Sequence, residues 1–338
     1  MRSLNFHPKP RWRRRLLIGL SATVLLLILV IFSGPRNTFG PDVPTHRALP
    51  PVDATQLDAW LTASESAVKD LRPGVEKQVV WQGQPGHKAP WAVVYIHGFT
   101  ATRQETAPLA EQVAQQLGAP VFYTRLTGHG RREPQAMGDA SVQDWLADTV
   151  EAVRIGRALG DKVVVIACST GATLATWLAT HPDLAGADAY AFVSPNYGPK
   201  DKRSELINGP WGQSLAFALE GEMRGTPSSD PREEIAWTTR YPTRALFPMM
   251  ALVKHVRDSD LSGFRAPVLM LYSERDETVD PALTREVFAR LSSPNKVIEA
   301  VNYSEAVGQH VLAGDIRAPK ATPVMARRIA EWVQGFKL

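Results

Sequence analysis

A single cysteine, Cys168, stands among 338 residues. No disulfide can therefore form within the chain, and no cysteine-built metal centre. Internal repeats and low-complexity tracts are also missing, which leaves a globular composition. A basic surface for nucleic acid is missing too. The formal charge is +4, but Arg2, Lys9, Arg11, Arg13, Arg14 and Arg15 stand before residue 16 with no acid among them, so everything after carries a net −2. The basicity belongs to the tail, and no nucleic-acid partner is implied. What is present is a 44% share of apolar residues, enough for one large core with an inserted subdomain.

One apolar run stands apart from the rest. Leu16 to Phe32 is interrupted only by Gly19, Ser21 and Thr23. As a helix it spans roughly 25 Å, near the lower limit for crossing a bilayer. Arg11-Trp12-Arg13-Arg14-Arg15 precedes it directly. Cationic flanks stay cytoplasmic, so the expected topology places the amino terminus inside and the remainder on the extracytoplasmic, periplasmic side. A cleaved signal peptide with secretion is the rival reading; the length of the run and the lack of an A-x-A site favour an uncleaved signal anchor. The expected organisation is a basic cytoplasmic tail over 1–15, a transmembrane anchor over 16–33, a proline-rich linker over 34–54 and one domain over 55–338. The linker, with Pro35, Pro41, Pro44, Pro50 and Pro51, reads as an extended spacer.

In the domain, strand patterns occur at 78–82, 91–96, 121–126, 162–168, 189–193, 268–272 and 296–301. The middle ones are continuous apolar runs, as in parallel strands covered on both faces. Helical patterns alternate with them at 105–117, 142–159, 170–180, 281–291 and 322–335, and Ser141 with Asp144 forms a capping-box signature. The alternation predicts an α/β fold with a mainly parallel sheet. Gly83-Gln84-Pro85-Gly86 suggests that the first two strands pair antiparallel. A further helix carries Leu57, Trp60, Leu61, Ser64, Val68 and Leu71 on one stripe, with Asp58, Glu65 and Lys69 off it. From about 196 to 264 the alternation lapses, which predicts an inserted lid. Its Trp211, Leu215, Phe217, Leu219, Phe247, Met249, Met250 and Val253 either pack the lid down or line an acyl pocket.

The richest local signal is Ala167-Cys168-Ser169-Thr170-Gly171, between the apolar run Val163–Ile166 and a helical pattern. A serine between small residues at a strand-to-helix break is a nucleophile elbow, G-x-S-x-G, with Ala167 departing by one methyl. Cys168 is one position early for the apex and reads as a packing residue. A serine hydroxyl needs a base and a group to orient it, and after an elbow these follow in the order acid, histidine. His181 would lie roughly 18 Å along the helix from Ser169, and His255 falls in the lid. His310, in a loop after the last strand, is the favoured base. Glu274, Asp276, Glu277 and Asp280 follow the strand at 268–272; Asp280 suits the N-cap of the helix begun by Pro281, and Asp276 is favoured as the acid. The oxyanion needs two N–H donors, for which Phe99, after Gly98, and Thr170 are placed. His97 is expected to tie its loop.

With these pieces the chain resembles the α/β-hydrolase superfamily, in particular bacterial carboxylesterases and monoacylglycerol lipases. The resemblance rests on His97-Gly98-Phe99-Thr100, Leu126-Thr127-Gly128-His129-Gly130, the Ala167–Gly171 elbow, Ser273-Glu274-Arg275-Asp276 and His310-Val311-Leu312, and runs from about Trp81 onward. It implies a Ser169–His310–Asp276 triad, an oxyanion hole from Phe99 and Thr170, a structural His129, and hydrolysis of carboxylic esters through an acyl-enzyme, with acyl transfer or thioester hydrolysis as alternatives on the same fold and a non-catalytic binding domain as the rival that an intact triad argues against. No cofactor or metal is implied; the expected partners are a small-molecule or lipid ester and a membrane.

Overall fold

A computed structural model describes residues 11–336. Among the described residues nine strands are formed: β1 (Gln78–Val80), β2 (Ala89–Ile96), β3 (Val121–Tyr123), β4 (Gly160–Cys168), β5 (Ala189–Val193), β6 (Met223–Gly225), β7 (Arg240–Pro242), β8 (Val268–Tyr272) and β9 (Lys296–Ala300). Ten α-helices accompany them: α1 (Arg11–Phe32), α2 (Leu57–Ser66), α3 (Leu109–Leu117), α4 (Val142–Leu159), α5 (Thr170–Ala179), α6 (Gly212–Glu220), α7 (Pro231–Ala236), α8 (Leu246–Asp258), α9 (Pro281–Arg290) and α10 (Ala321–Gln334). Seven strands make one sheet in the order β1-β3-β2-β4-β5-β8-β9, parallel except for β1. This is the α/β-hydrolase fold. Two apolar cores sandwich the sheet, because alternate residues of each central strand point to opposite faces: Val94, Ile96, Val163 and Val165 to one, Val93, Tyr95, Val164 and Ile166 to the other.

The glycine-containing turn at 83–86 does not join an antiparallel pair. Both edges of β2 are occupied by the parallel strands β3 and β4, so β1 pairs antiparallel with the outer edge of β3. α2 also departs from expectation. It stops at Ser66, and Glu65, expected off the apolar stripe, is buried in a paired ion cage: both its oxygens accept from Arg125, at 2.7 and 2.9 Å, and one also from the Lys77 N–H. The Ser141–Asp144 capping box opens α4 as expected.

The insertion between the adjacent strands β5 and β8 holds α6, α7, α8 and the small β6–β7 ribbon. α1 extends the apolar run back to Arg11. Its window Arg15–Phe32 has a mean hydropathy of 2.6 and no residue buried, so by length and composition it is able to cross a membrane or to serve as a signal sequence. Arg2 and Lys9 of the basic tail lie outside the described residues. The proline-rich segment from Gly34 is extended, but it lies along the domain. Asn37 bonds to Asn208 and to the Phe247 carbonyl, Phe39 stacks on His255 at 3.8 Å, Asp42 accepts from the Trp177 indole at 2.6 Å, and Arg47 reaches Asp148.

Candidate active site

β2, β4 and β5 end almost level, with Ile96 opposite Ala167 and Cys168 opposite Val193, so the loops that follow them meet at one edge. Backbone strain is concentrated there. Thr100, Ser169, Ser194 and Gln309 all have positive φ without being glycine. Ser169 has φ 51° and ψ −118°, and its N–H donates to the Val193 carbonyl. The small neighbours are dictated by proximity. A methyl on Gly171 would lie 2.6 Å from the His97 carbonyl oxygen and closer still to that of Ile96. Ala167, two residues before the serine, is accommodated within the sheet and fully buried.

Ser169, Asp276 and His310, spread over 141 positions of sequence, are brought together. The Ser169 hydroxyl lies 2.9 Å from His310 Nε2, and His310 Nδ1 lies 2.8 Å from Asp276 Oδ2. The other Asp276 oxygen accepts from the Thr278 and Val279 N–H groups, at 2.8 and 2.9 Å, which fixes the carboxylate's orientation. Asp276 is buried, whereas the rim of His310 keeps contact with solvent. The competing acids are engaged elsewhere: Asp280 caps α9 through the Ala282 N–H, and Glu274 accepts from the Tyr272 hydroxyl. His181 stacks on Trp177 and His255 on Phe39, away from the serine.

Of the two expected donors, Thr170 follows Ser169 directly, and Phe99 follows Gly98, where an added methyl would lie 3.2 Å from Ser169 Cβ. Thr170 opens α5, so its N–H has no carbonyl of its own helix to meet. The Phe99 N–H is aimed by its own peptide unit. The Gly98 carbonyl is held by His97 Nδ1–H at 2.9 Å and by the Ala101 N–H, and in a trans peptide the N–H points the opposite way. His97 Nε2 accepts in turn from the Leu126 N–H, so both ring nitrogens are committed and one neutral tautomer is enforced. Burial pushes its pKa down to about 4. His129 is likewise buried with its pKa held well below the ordinary value; it accepts from the Thr100 N–H and donates to the Thr127 carbonyl.

One residue of this region escaped the sequence reading. Glu105 is buried behind the Gly98 loop, where it accepts from the Gly98 N–H at 2.7 Å and the Tyr95 hydroxyl at 2.9 Å. A methyl on Gly98 would lie 3.2 Å from both Glu105 Oε2 and Ser169 Cβ, so this carboxyl sits directly under the elbow. Burial raises its pKa to about 7. The only sequence signal was an acid in an otherwise neutral stretch between Arg103 and Glu111. Cys168 faces the same interior; burial, then the nearby Glu105, raises its pKa well above the usual thiol range, so it is inert as a nucleophile.

The lid meets the site through apolar side chains. Phe99 packs against Tyr241 edge to face at 5.5 Å and against the cluster around Leu246 and Phe247, with Met249 and Phe217 joining. Asn196 links the two sides, donating to Thr170 Oγ1 and to Met249 Sδ. Of the lid residues with two readings, Phe247, Met250 and Val253 are packed inside, while Trp211, Leu215 and Leu219 are exposed.

Known proteins agree with this architecture. The family model described as serine aminopeptidase, S33, matches residues 87–305. A thermostable monoacylglycerol lipase from Bacillus sp. (strain H-257) is 28% identical over 210 residues, covering 62% of this chain and 80% of that protein. Among solved structures, that of the metagenome-derived lipolytic enzymes LipS and LipT superposes with a TM-score of 0.61 at 22% identity, over 78% of this chain and 99% of that one. A soluble variant of the Saccharomyces cerevisiae monoglyceride lipase, in complex with a substrate analogue, gives 0.59 at 15% identity, over 80% and 97%. At these identities the two structures speak for the fold alone.

Proposed function

Since the chain belongs to the serine aminopeptidase S33 family of hydrolases, we propose that it is a serine hydrolase of carboxylic esters, of the monoacylglycerol lipase or carboxylesterase type. The observation that carries this reading is the imidazole of His310 bridging Ser169 and Asp276 at 2.9 and 2.8 Å. The Ser169 hydroxyl attacks the ester carbonyl as His310 Nε2 takes its proton. Asp276 holds the Nδ1–H tautomer and stabilises the imidazolium. The oxyanion is received by the Phe99 and Thr170 N–H groups. His310 then gives its proton to the departing alcohol, and a water, activated by the same imidazole, releases the acid from the acyl-enzyme.

An ester is favoured over a peptide by the lid. The surface that meets Phe99 carries Tyr241, Phe247 and Met249 and suits an acyl chain; Glu220, the lid carboxylate that acts on Tyr241, is already paired with Arg224. The Bacillus relative is a monoacylglycerol lipase, which supports a single-chain lipid ester. We read α1 as an uncleaved anchor with Arg11–Arg15 on the cytoplasmic side. The test is Ser169→Ala: turnover of p-nitrophenyl butyrate and of a monoacylglycerol falls to background, and a fluorophosphonate probe no longer labels the protein, at unchanged melting temperature. Retained turnover or labelling refutes the assignment.

A further inference from the structure

The end of α1 is built into the lid. The Trp211 indole N–H donates to the Val30 carbonyl at 3.0 Å, in the last turn of α1, and the Trp211 backbone N–H donates to the Pro35 carbonyl at 2.9 Å. The Val30 carbonyl lies in the last turn of its helix, where it also accepts from the Ser33 hydroxyl at 3.2 Å, so the indole and the hydroxyl share a helix-end group. Gly34 lies buried under the ring, and a methyl there would run into the indole. Val30 stands two residues before the end of the apolar window at Phe32. A tryptophan fixed at that level sits where the hydrocarbon gives way to headgroups, the depth that indoles favour.

From Trp211 an apolar stripe continues along α6. Leu215 and Leu219 follow at helical spacing on the exposed side, while Gly212 and Ala216 face inward. Leu219 is 75% exposed and Leu206 56%. Together with Ile207 and Leu246 these leucines line the apolar part of a shallow groove of about 380 Å³, whose polar part is the ion pairs Arg203–Asp201 and Arg224–Glu220. The stripe reaches about 12 Å from the α1 contact. An exposed apolar stripe bordered by charged pairs marks an interaction surface. The segment at 34–47 prevents the domain from swinging away, because Asn37, Phe39, Asp42 and Arg47 bind it to the lid, α8, α5 and α4.

We propose that the Trp211–Leu215–Leu219 face of the lid rests on the bilayer that α1 spans, so that the hydrolase is held lid-down and takes its ester from the lipid surface. This rests on the anchor reading given above. The occupant is the lipid surface because the chain itself delivers the patch to the end of a fully exposed apolar span. The mechanism of hydrolysis is unaffected; what is set is the phase from which substrate is drawn.

The single, buried cysteine makes the test clean. A cysteine at an exposed position accepts an environment-sensitive NBD label without competition from Cys168. Full-length L219C and D161C are labelled and reconstituted in phosphatidylcholine vesicles; Asp161 is exposed at the opposite, amino-terminal end of β4. Flotation of the full chain with the vesicles checks the anchor separately. The expected result is blue-shifted emission, quenched by spin-labelled lipid, at position 219 and not at 161. In the unlabelled L215D/L219D double variant, hydrolysis of vesicle-embedded monoacylglycerol falls about tenfold or more, the loss expected if even one of the two leucines forfeits its burial, while turnover of soluble p-nitrophenyl acetate is unchanged. Protein that floats but keeps a wet label at 219 overturns the docking and leaves the anchor standing. Protein that fails to float removes the anchor and the docking with it. Equal loss on both substrates also overturns the docking.

Discussion

Replacing Asp276 by Asn exchanges one oxygen for an NH2 and, through it, changes the protonation of a ring one hydrogen bond away. Asp276 Oδ1 accepts from two backbone donors, the N–H groups of Thr278 and Val279. An asparagine must point its carbonyl oxygen at those donors, since the reverse places an NH2 against two N–H groups. Its NH2 then faces His310 Nδ1, 2.8 Å away in the wild type. Nδ1 is forced to accept, the proton moves to Nε2, and Nε2 can no longer take the proton from Ser169. Loss of the correct tautomer in a triad costs about 10⁴ in kcat, or roughly 5 kcal/mol of transition-state stabilisation. The fold loses much less: three charge-assisted hydrogen bonds, from Thr278, Val279 and His310, become neutral, worth about 1–3 kcal/mol. The assay is kcat for p-nitrophenyl butyrate in mild detergent, beside urea unfolding of the same preparation. A fall of less than about tenfold in a folded Asp276→Asn protein refutes the role given to Asp276 and the orientation argument together.

Three other outcomes follow from buried geometry. Glu105 releases its proton near 4.5 in the unfolded chain and near 7 in the folded one, so the native state binds more protons between those values, and this residue's contribution to stability falls as pH rises through that window. Glu105→Gln removes the effect, and the wild-type-minus-variant difference in unfolding free energy should drop by roughly 3 kcal/mol from pH 4.5 to 7; a difference flat with pH in urea titrations contradicts the burial argument. Gly171→Ala drives a methyl against the Ile96 and His97 carbonyls, pushes α5 off β2, and should cost about 10²- to 10³-fold in kcat through a displaced Thr170 N–H, read against active-site titration with a fluorophosphonate. Glu65→Ala strands a buried Arg125 guanidinium, and thermal or urea unfolding should register about 3–5 kcal/mol of lost stability.

The sheet was readable where two-sided burial writes continuous apolar runs, as at β4, β5 and β8, whose positions match the patterns to within two residues. The strained elbow was readable because close approach admits only small neighbours, a local rule. What escaped detection depends on partners distant in sequence. β1 looked like half of a hairpin because a turn sequence says nothing about whether the next strand's edges are free. Glu65 looked solvated because its cation, Arg125, arrives 60 residues later. Glu105 had only the faint signature of an acid in a neutral stretch; its burial follows from the way the Gly98 loop folds over it. The linker prolines encoded extension, but not the surface along which the extended chain would run.

That surface has a practical corollary. Asp42 holds the Trp177 indole, and Arg47 neutralises Asp148, which also accepts from the Thr127 N–H next to the His129 turn. Residues 34–47 thus behave as a strap whose far end reaches the scaffolding of the catalytic loops, and a fusion or truncation that trims the protein back to Leu57 would unbuckle more than a tether. Exchanging α1 for another apolar helix keeps the strap only if the cut is made before Gly34, so that hydrolase and strap travel as one inheritance and only the Trp211–Val30 bond is given up.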